Sequence, residues 1–289
     1  MAKYGPIVKE LYEKSRKLHS VDASNVYQEG HRDKQALIHK IVQDLMLPGS
    51  KMTGFEHLKE LYDRVQAGQA GMIVMEHYTN FDIPCLYYLL DDQGPEGEKV
   101  ADATCSMAGM KLTEQEPLVA AFSDAYTRIV IYPSRSIKSI QDEEKLKQER
   151  RRSNAINMAA MKAMVRHKHE GTIILVFPAG TRYRPGHPET KRGLPEIDSY
   201  LRGFDFLVPI GTAGQILPVR PDGNMIEDPL QEDVVVYSVG EVTECEEFRR
   251  IGRSRVESGQ DAKQATADAV MERLDQLHQI AEAERETSL

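Results

Sequence analysis

Four short apolar runs, Gly71–Met75, Thr172–Val176, Phe206–Ile210 and Val234–Val239, alternate with longer stretches of helical periodicity. A run this short with no polar alternation reads as a strand buried on both faces, because a half-exposed strand would alternate with a period of two. The helical stretches have clear ends. Phe55–Ala67 is closed by Gly68, and the charged segment from Gln141 to His169 is stopped by Gly171. A last helix, Ala262–Glu284, lines up Val270, Leu274, Leu277 and Ile280 on one side. Strands separated by helices predict an α/β fold: a mixed, largely parallel sheet covered by helices on both faces.

Val100–Cys105 and Arg128–Tyr132 read as further strands. Upstream, residues 4–47 carry two helical stripes, the better one through Leu37, Ile38, Ile41, Val42, Leu45 and Met46, with a break near Asn25–Gly30 and an end at Pro48-Gly49. The expected organisation is a helical N-terminal subdomain over 1–50 and an α/β domain over 51–289.

A net charge of −8 argues against nucleic acid, so any anion site must be made by local placement. Cys85, Cys105 and Cys245 are few, odd in number and without a CxxC pattern, which fits free thiols in a reducing compartment. His167, His169 and His187 lack metal-ligand spacing and read as surface residues; no metal and no bound cofactor is expected. Met1–Glu10 does not read as a secretory signal, and no apolar run approaches the ~20 residues that span a bilayer. The expectation is a soluble protein, cytoplasmic or stroma-like, with at most peripheral membrane contact.

Two strand exits carry the chemistry. After Met75 comes Glu76-His77-Tyr78-Thr79-Asn80-Phe81-Asp82. If Tyr78–Asn80 turn sharply, Asp82 meets His77, fixes its tautomer and leaves the second ring nitrogen as a proton acceptor. Spacing alone favours a His that merely caps a loop and an Asp that merely caps a helix; the pair gains weight from the second motif. Cys85, three residues on, raises a Cys–His nucleophile pair as an alternative to a small buried hydrophobe. After Val176 comes Phe177-Pro178-Ala179-Gly180-Thr181-Arg182-Tyr183-Arg184-Pro185. In an extended segment Arg182 and Arg184 point to one side, and two guanidinium forks suit a phosphate. Arg135 follows a third strand end, with Ser136 and Lys138 close by. Lys145, Lys147 and Arg150–Arg152, interleaved with Glu143, Glu144 and Glu149, read as a solvated helix face or as a docking surface for an acidic carrier protein.

His77-x4-Asp82 and Phe177-Pro178-x-Gly180-Thr181-Arg182, in that order, resemble the two hallmark motifs of the glycerolipid acyltransferases. Ile131–Arg135, Arg150–Asn154 and Arg182–Pro185 extend the likeness toward the soluble chloroplast-type glycerol-3-phosphate acyltransferases. The resemblance implies direct acyl transfer from an acyl carrier protein or coenzyme A thioester to glycerol 3-phosphate. In that reading His77 is general base, Asp82 holds it, and Arg135, Arg182 and Arg184 grip the phosphate. Gly180 and Thr181 are placed to position the substrate or stabilise the oxyanion. The chain departs from the membrane-bound branch at Ala179, where that branch has Glu, and from the soluble branch at Ser136, where that branch has His. Acylation of lysophosphatidate, and a non-catalytic protein that binds phospholipid or acyl carrier on the same scaffold, stand as alternatives.

Overall fold

The computed structural model describes residues 2–15, 20–110, 117–133, 137, 140–220, 227–256 and 261–289. In chain order the elements are α1 (Gly5–Lys14), β1 (Tyr27–Gln28), α2 (Arg32–Leu45), β2 (Lys51–Thr53), α3 (Phe55–Gln66), β3 (Gly71–Met75), α4 (Asp82–Asp91), α5 (Pro95–Ala103), β4 (Thr104–Gly109), α6 (Pro117–Ser123), β5 (Arg128–Ile131), α7 (Glu143–Lys168), β6 (Ile173–Val176), α8 (Glu196–Leu201), β7 (Phe206–Ala213), β8 (Val236–Val239), β9 (Thr243–Glu244), α9 (Cys245–Ser254) and α10 (Ala262–Glu286). The architecture is the mixed α/β one that the alternating runs imply.

The chain forms two compact units. One comprises Met1–Ile38 and Cys105–Glu170, the other His39–Thr104 and Gly171–Leu289. The division falls inside α2, where the sequence suggested a break after residue 50.

In the first unit β5 pairs in parallel with β4 and antiparallel with β1. The long helix α7 starts at Asp142, whose side chain accepts the Lys145 N–H, and it buries Ser153, Ile156, Ala160, Met164 and His167. His167 is therefore an interior residue, contrary to the surface position expected of it. Its ring stacks on Tyr27 at 3.9 Å, an apolar use of imidazole that spacing does not reveal.

In the second unit the strand order is β6-β3-β7-β8-β2, with β9 against β7. The pairs β3–β6, β3–β7 and β2–β8 are parallel; β7–β8 and β7–β9 are antiparallel. Every residue of β3, β6 and β8 is buried, Ser238 of β8 included, as runs without polar alternation require. Helices cover both faces. Gly71 and Phe206 are opposite each other in the register and so share a face. Gly71 lies against Leu61 and Val65 of α3. Gly211, an odd number of residues beyond Phe206, faces the other way and lies against Leu277 and His278 of α10.

One predicted strand is displaced. Val100–Ala103 belongs to α5, and the strand begins at Thr104. Gly94 at φ 72° with Pro95 in the first helical turn and Glu96 and Glu98 behind it makes a helix start that reads in sequence as a turn-rich link.

Candidate active site

β3 delivers His77 two residues past its end, and α4 begins at Asp82. The chain between them closes on the Asp82 carboxylate. Oδ2 accepts the Tyr78 N–H at 2.7 Å and the Thr79 N–H at 3.0 Å, and it lies 2.8 Å from His77 Nδ1. Thr79 Oγ1 accepts the Phe81 N–H at 2.7 Å and tightens the turn. Asp82 therefore spends its carboxylate on the loop and the imidazole, as the pairing with His77 requires, and not on the helix cap that the spacing also allowed; α4 has no side-chain cap hydrogen bond. The carboxylate is buried and the imidazole is 19% exposed. An ionised carboxylate can only accept, so Nδ1 carries the proton and Nε2 keeps its lone pair. This arrangement can take a proton from a hydroxyl and stabilise the imidazolium that results.

β6 lies beside β3 in parallel register and delivers Phe177 to the same end of the sheet. Its ring stacks on His77 with centroids 4.0 Å apart and planes 16° apart. Gly180, at φ 63°, turns the chain and donates its N–H to the Phe177 carbonyl at 2.9 Å. The positive φ favours glycine; a Cβ there would also sit 2.6 Å from Leu194 Cδ1, a side-chain end that would have to shift. The Gly180 amide is thus used within the turn; Thr181 follows, half-buried. Tyr183 then donates its N–H to the His77 carbonyl at 2.7 Å and ties the two loops together.

The arginines part company. Arg182 is buried and forms an ion pair with the buried carboxylate of Asp228, which also accepts the Arg220 N–H at 3.0 Å. Arg184 is exposed, and its backbone N–H goes to Thr190 Oγ1 at 2.9 Å. The two side chains therefore do not share a side as simple alternation predicts; just beyond them Arg184 bridges to His187 across a turn at Pro185-Gly186. Arg135, Ser136 and Lys138 lie outside the described residues.

Residues 57–211, more than half of the chain, match the model of a family described as Acyltransferase. The chain belongs to that acyltransferase family. The fold is similar to the crystal structure of the 1-acyl-sn-glycerophosphate (LPA) acyltransferase PlsC from Thermotoga maritima, with a TM-score of 0.41 and 13% identity over 95% of this chain and 88% of that one. No curated protein matches the chain.

Cys85 of this acyltransferase is not placed to be a nucleophile. It is fully buried, and burial pushes its thiol well above the ordinary range, helped by the Asp82 charge and eased slightly by a hydrogen bond with Tyr237. Tyr237 in turn donates its hydroxyl to the Asp82 carbonyl at 2.9 Å, so this pair braces the start of α4 from below.

A second polar cluster, which the sequence did not suggest, sits beside the imidazole. Glu76 is buried and accepts from the Tyr78 hydroxyl at 2.9 Å and the Thr212 N–H at 3.0 Å. The His278 Nδ1–H, on α10, lies between the Thr212 carbonyl at 2.7 Å and Glu76 Oε2 at 3.2 Å. The hydrogen bond to Glu76 raises the His278 pKa, outweighing desolvation, which lowers it. Lys191 Nζ reaches Asp275 at 2.9 Å and Glu76 at 3.7 Å. A small cleft next to His77 is lined by Glu76, Tyr78, Tyr183 and Lys191. The one available clue was Glu76 itself, a carboxylate at the end of an apolar run; its partners lie far away in sequence. Among the described residues no group of three or more His, Cys, Asp or Glu side chains is placed to hold a metal ion.

Proposed function

We propose that this acyltransferase is a glycerol-3-phosphate 1-O-acyltransferase. A fatty acyl group passes from a thioester of acyl carrier protein or coenzyme A to the substrate hydroxyl, with no covalent acyl-enzyme. His77 Nε2 takes the hydroxyl proton as the oxygen attacks the thioester carbonyl. The new C–O bond forms, the C–S bond breaks, and the imidazolium returns its proton to the departing thiolate. The observation that carries this reading is the 2.8 Å contact between His77 Nδ1 and Asp82 Oδ2, which leaves the other ring nitrogen basic. The burial of Cys85 supports direct transfer over a Cys-bound intermediate.

For the phosphate, Arg184 has no carboxylate partner among the described residues and is exposed beside the loop tied to His77. Arg135 is proposed as its companion on the strength of the family resemblance. Arg182, engaged by Asp228, has donors left over for an anion and is held in one orientation by that pair. Ala179 and the lack, among the described residues, of any helix long and apolar enough to cross a membrane support a small water-soluble acceptor over lysophosphatidate.

The test is incubation of the purified protein with a palmitoyl thioester of acyl carrier protein or of coenzyme A, and with each acceptor in turn, the products being identified by mass spectrometry. Acylation of glycerol 3-phosphate is expected. Transfer to lysophosphatidate alone would move the assignment to the second acylation step, and no transfer with any pair would leave a binding protein on this scaffold.

A further inference from the structure

α7 has a second face, opposite the one that packs into its unit. Met158, Met161 and Val165 follow one another at i, i+3 and i+7 on that side, and they are 62%, 44% and 48% exposed. Three large apolar side chains in one file, all turned to water, are unusual for a helix that has already buried Ile156, Ala160 and Met164 on its other side.

The charge around this file is one-sided. From residue 150 to the end of the helix the chain carries Arg150, Arg151, Arg152, Lys162, Arg166 and Lys168 and no Asp or Glu, in a protein whose net charge is −8. The acids of α7 lie at its N-terminal end. Glu143 and Glu144 occupy the first turn, and Glu149 accepts the Tyr132 hydroxyl at 2.7 Å. Lys162 is four residues from Met158, and Arg151 and Lys147 are seven and eleven residues before it, so all three share the apolar side. All are exposed, and among the described residues none of them pairs with a carboxylate.

We propose that this side of α7 docks on an anionic lipid surface. A helix that lies flat in a bilayer interface needs a narrow apolar strip to enter the headgroup–acyl boundary, and cations alongside whose stems reach up to the phosphates. Met158, Met161 and Val165 supply the strip; Arg151, Lys162 and Lys147 supply the cations. The cations lie along the exposed side, without individual carboxylate partners among the described residues, beside a narrow apolar file. A laterally mobile layer of anionic headgroups matches that pattern without a fixed array of carboxylates, so lipid is favoured over an acidic protein. Three apolar residues alone make a weak anchor, so binding should require anionic lipid and weaken with salt. The docking does not depend on which acceptor the enzyme acylates.

The chain contains no tryptophan, which gives a clean probe. Met158→Trp introduces a single indole on the exposed file. With vesicles of phosphatidylcholine and phosphatidylglycerol at 7:3, its emission should shift to shorter wavelength, and the unsubstituted protein should co-sediment. With pure phosphatidylcholine, or in 0.5 M sodium chloride, partitioning should fall at least tenfold. Met158→Ser with Met161→Ser and Val165→Ser, and separately Arg151→Glu with Lys162→Glu, should each reduce partitioning at least tenfold. Circular dichroism should leave the fold unchanged, since these positions face solvent. No co-sedimentation with the anionic vesicles, or co-sedimentation with the indole emission unmoved, overturns the proposal. So does retention of the protein by immobilised acyl carrier protein through Arg151 and Lys162 with no vesicle binding.

Discussion

His77 Nδ1 and Asp82 Oδ2 stand 2.8 Å apart on a carboxylate oxygen that also receives two backbone N–H groups. One oxygen thus sets both the tautomer of the ring and the shape of the loop that carries it. Replacing either residue is not the same experiment.

His77→Ala should lower kcat by ~10²–10⁴, the usual worth of a positioned general base, with little change in melting temperature. The ring is partly exposed, and its loss leaves the Asp82 carboxylate still bonded to Tyr78 and Thr79. Asp82→Ala should lower both kcat and stability, because two buried N–H donors lose their acceptor at ~1–3 kcal/mol each. Equal melting temperatures for the two variants would refute the shared role of the carboxylate.

Arg182 and Arg184 should separate in the same way. Arg182→Ala leaves the Asp228 carboxylate buried without its partner and should cost about 3–5 kcal/mol of stability. Arg182→Ala combined with Asp228→Asn should recover part of that loss. Arg184→Ala should leave urea denaturation unchanged and raise the KM for glycerol 3-phosphate about tenfold, as a lost charged hydrogen bond would. Denaturation midpoints and Michaelis constants measured on the three variants check both statements.

Stability should depend on pH through His278. Its folded pKa is raised above the ordinary 6.5, first by the hydrogen bond to Glu76. The folded state therefore binds the proton more tightly than the unfolded chain. That contribution is complete below the unfolded value and is lost as pH climbs from 6.5 through the raised value. The melting temperature should fall across that window. His278→Gln should flatten this limb; an unaltered slope would assign the dependence elsewhere.

Gly211→Ala should destabilise the second unit. A Cβ at that point of β7 would lie 2.4 Å from the backbone of Leu277 and His278 on α10. Overpacking of this kind costs ~1–3 kcal/mol or more, and here backbone, not a flexible side chain, must move. Thermal unfolding monitored by circular dichroism measures the loss.

Cys85→Ala should retain most of the turnover, since the buried thiol stays protonated. The intact protein should also resist alkylation by iodoacetamide at Cys85 until it is unfolded. A loss of activity comparable to that of His77→Ala would return the nucleophile to consideration.

Much of this arrangement was readable in one dimension because it is local. The strands β3, β6, β7 and β8 follow from short apolar runs, and their burial on both faces follows from the absence of alternation. The His77–Asp82 contact spans five residues, a distance that one turn can close. The start of α5 was misread because Gly-Pro with acids marks a turn and a helix start alike, and only the packing of Val100 and Ala101 tells them apart.

What the amino-acid order determined by itself was the fold class and the imidazole–carboxylate pair, both consequences of periodicity and short-range turn geometry. Tertiary structure alone decided that Arg182 faces inward to Asp228 while Arg184 faces water, and that Glu76 gathers Thr212, Lys191 and His278 around it. Those partners are 46 to 202 residues apart, and no local preference encodes such a meeting. Sheet register and the seating of α10 bring them together, because a buried charge is tolerated only where the rest of the fold supplies its counterpart.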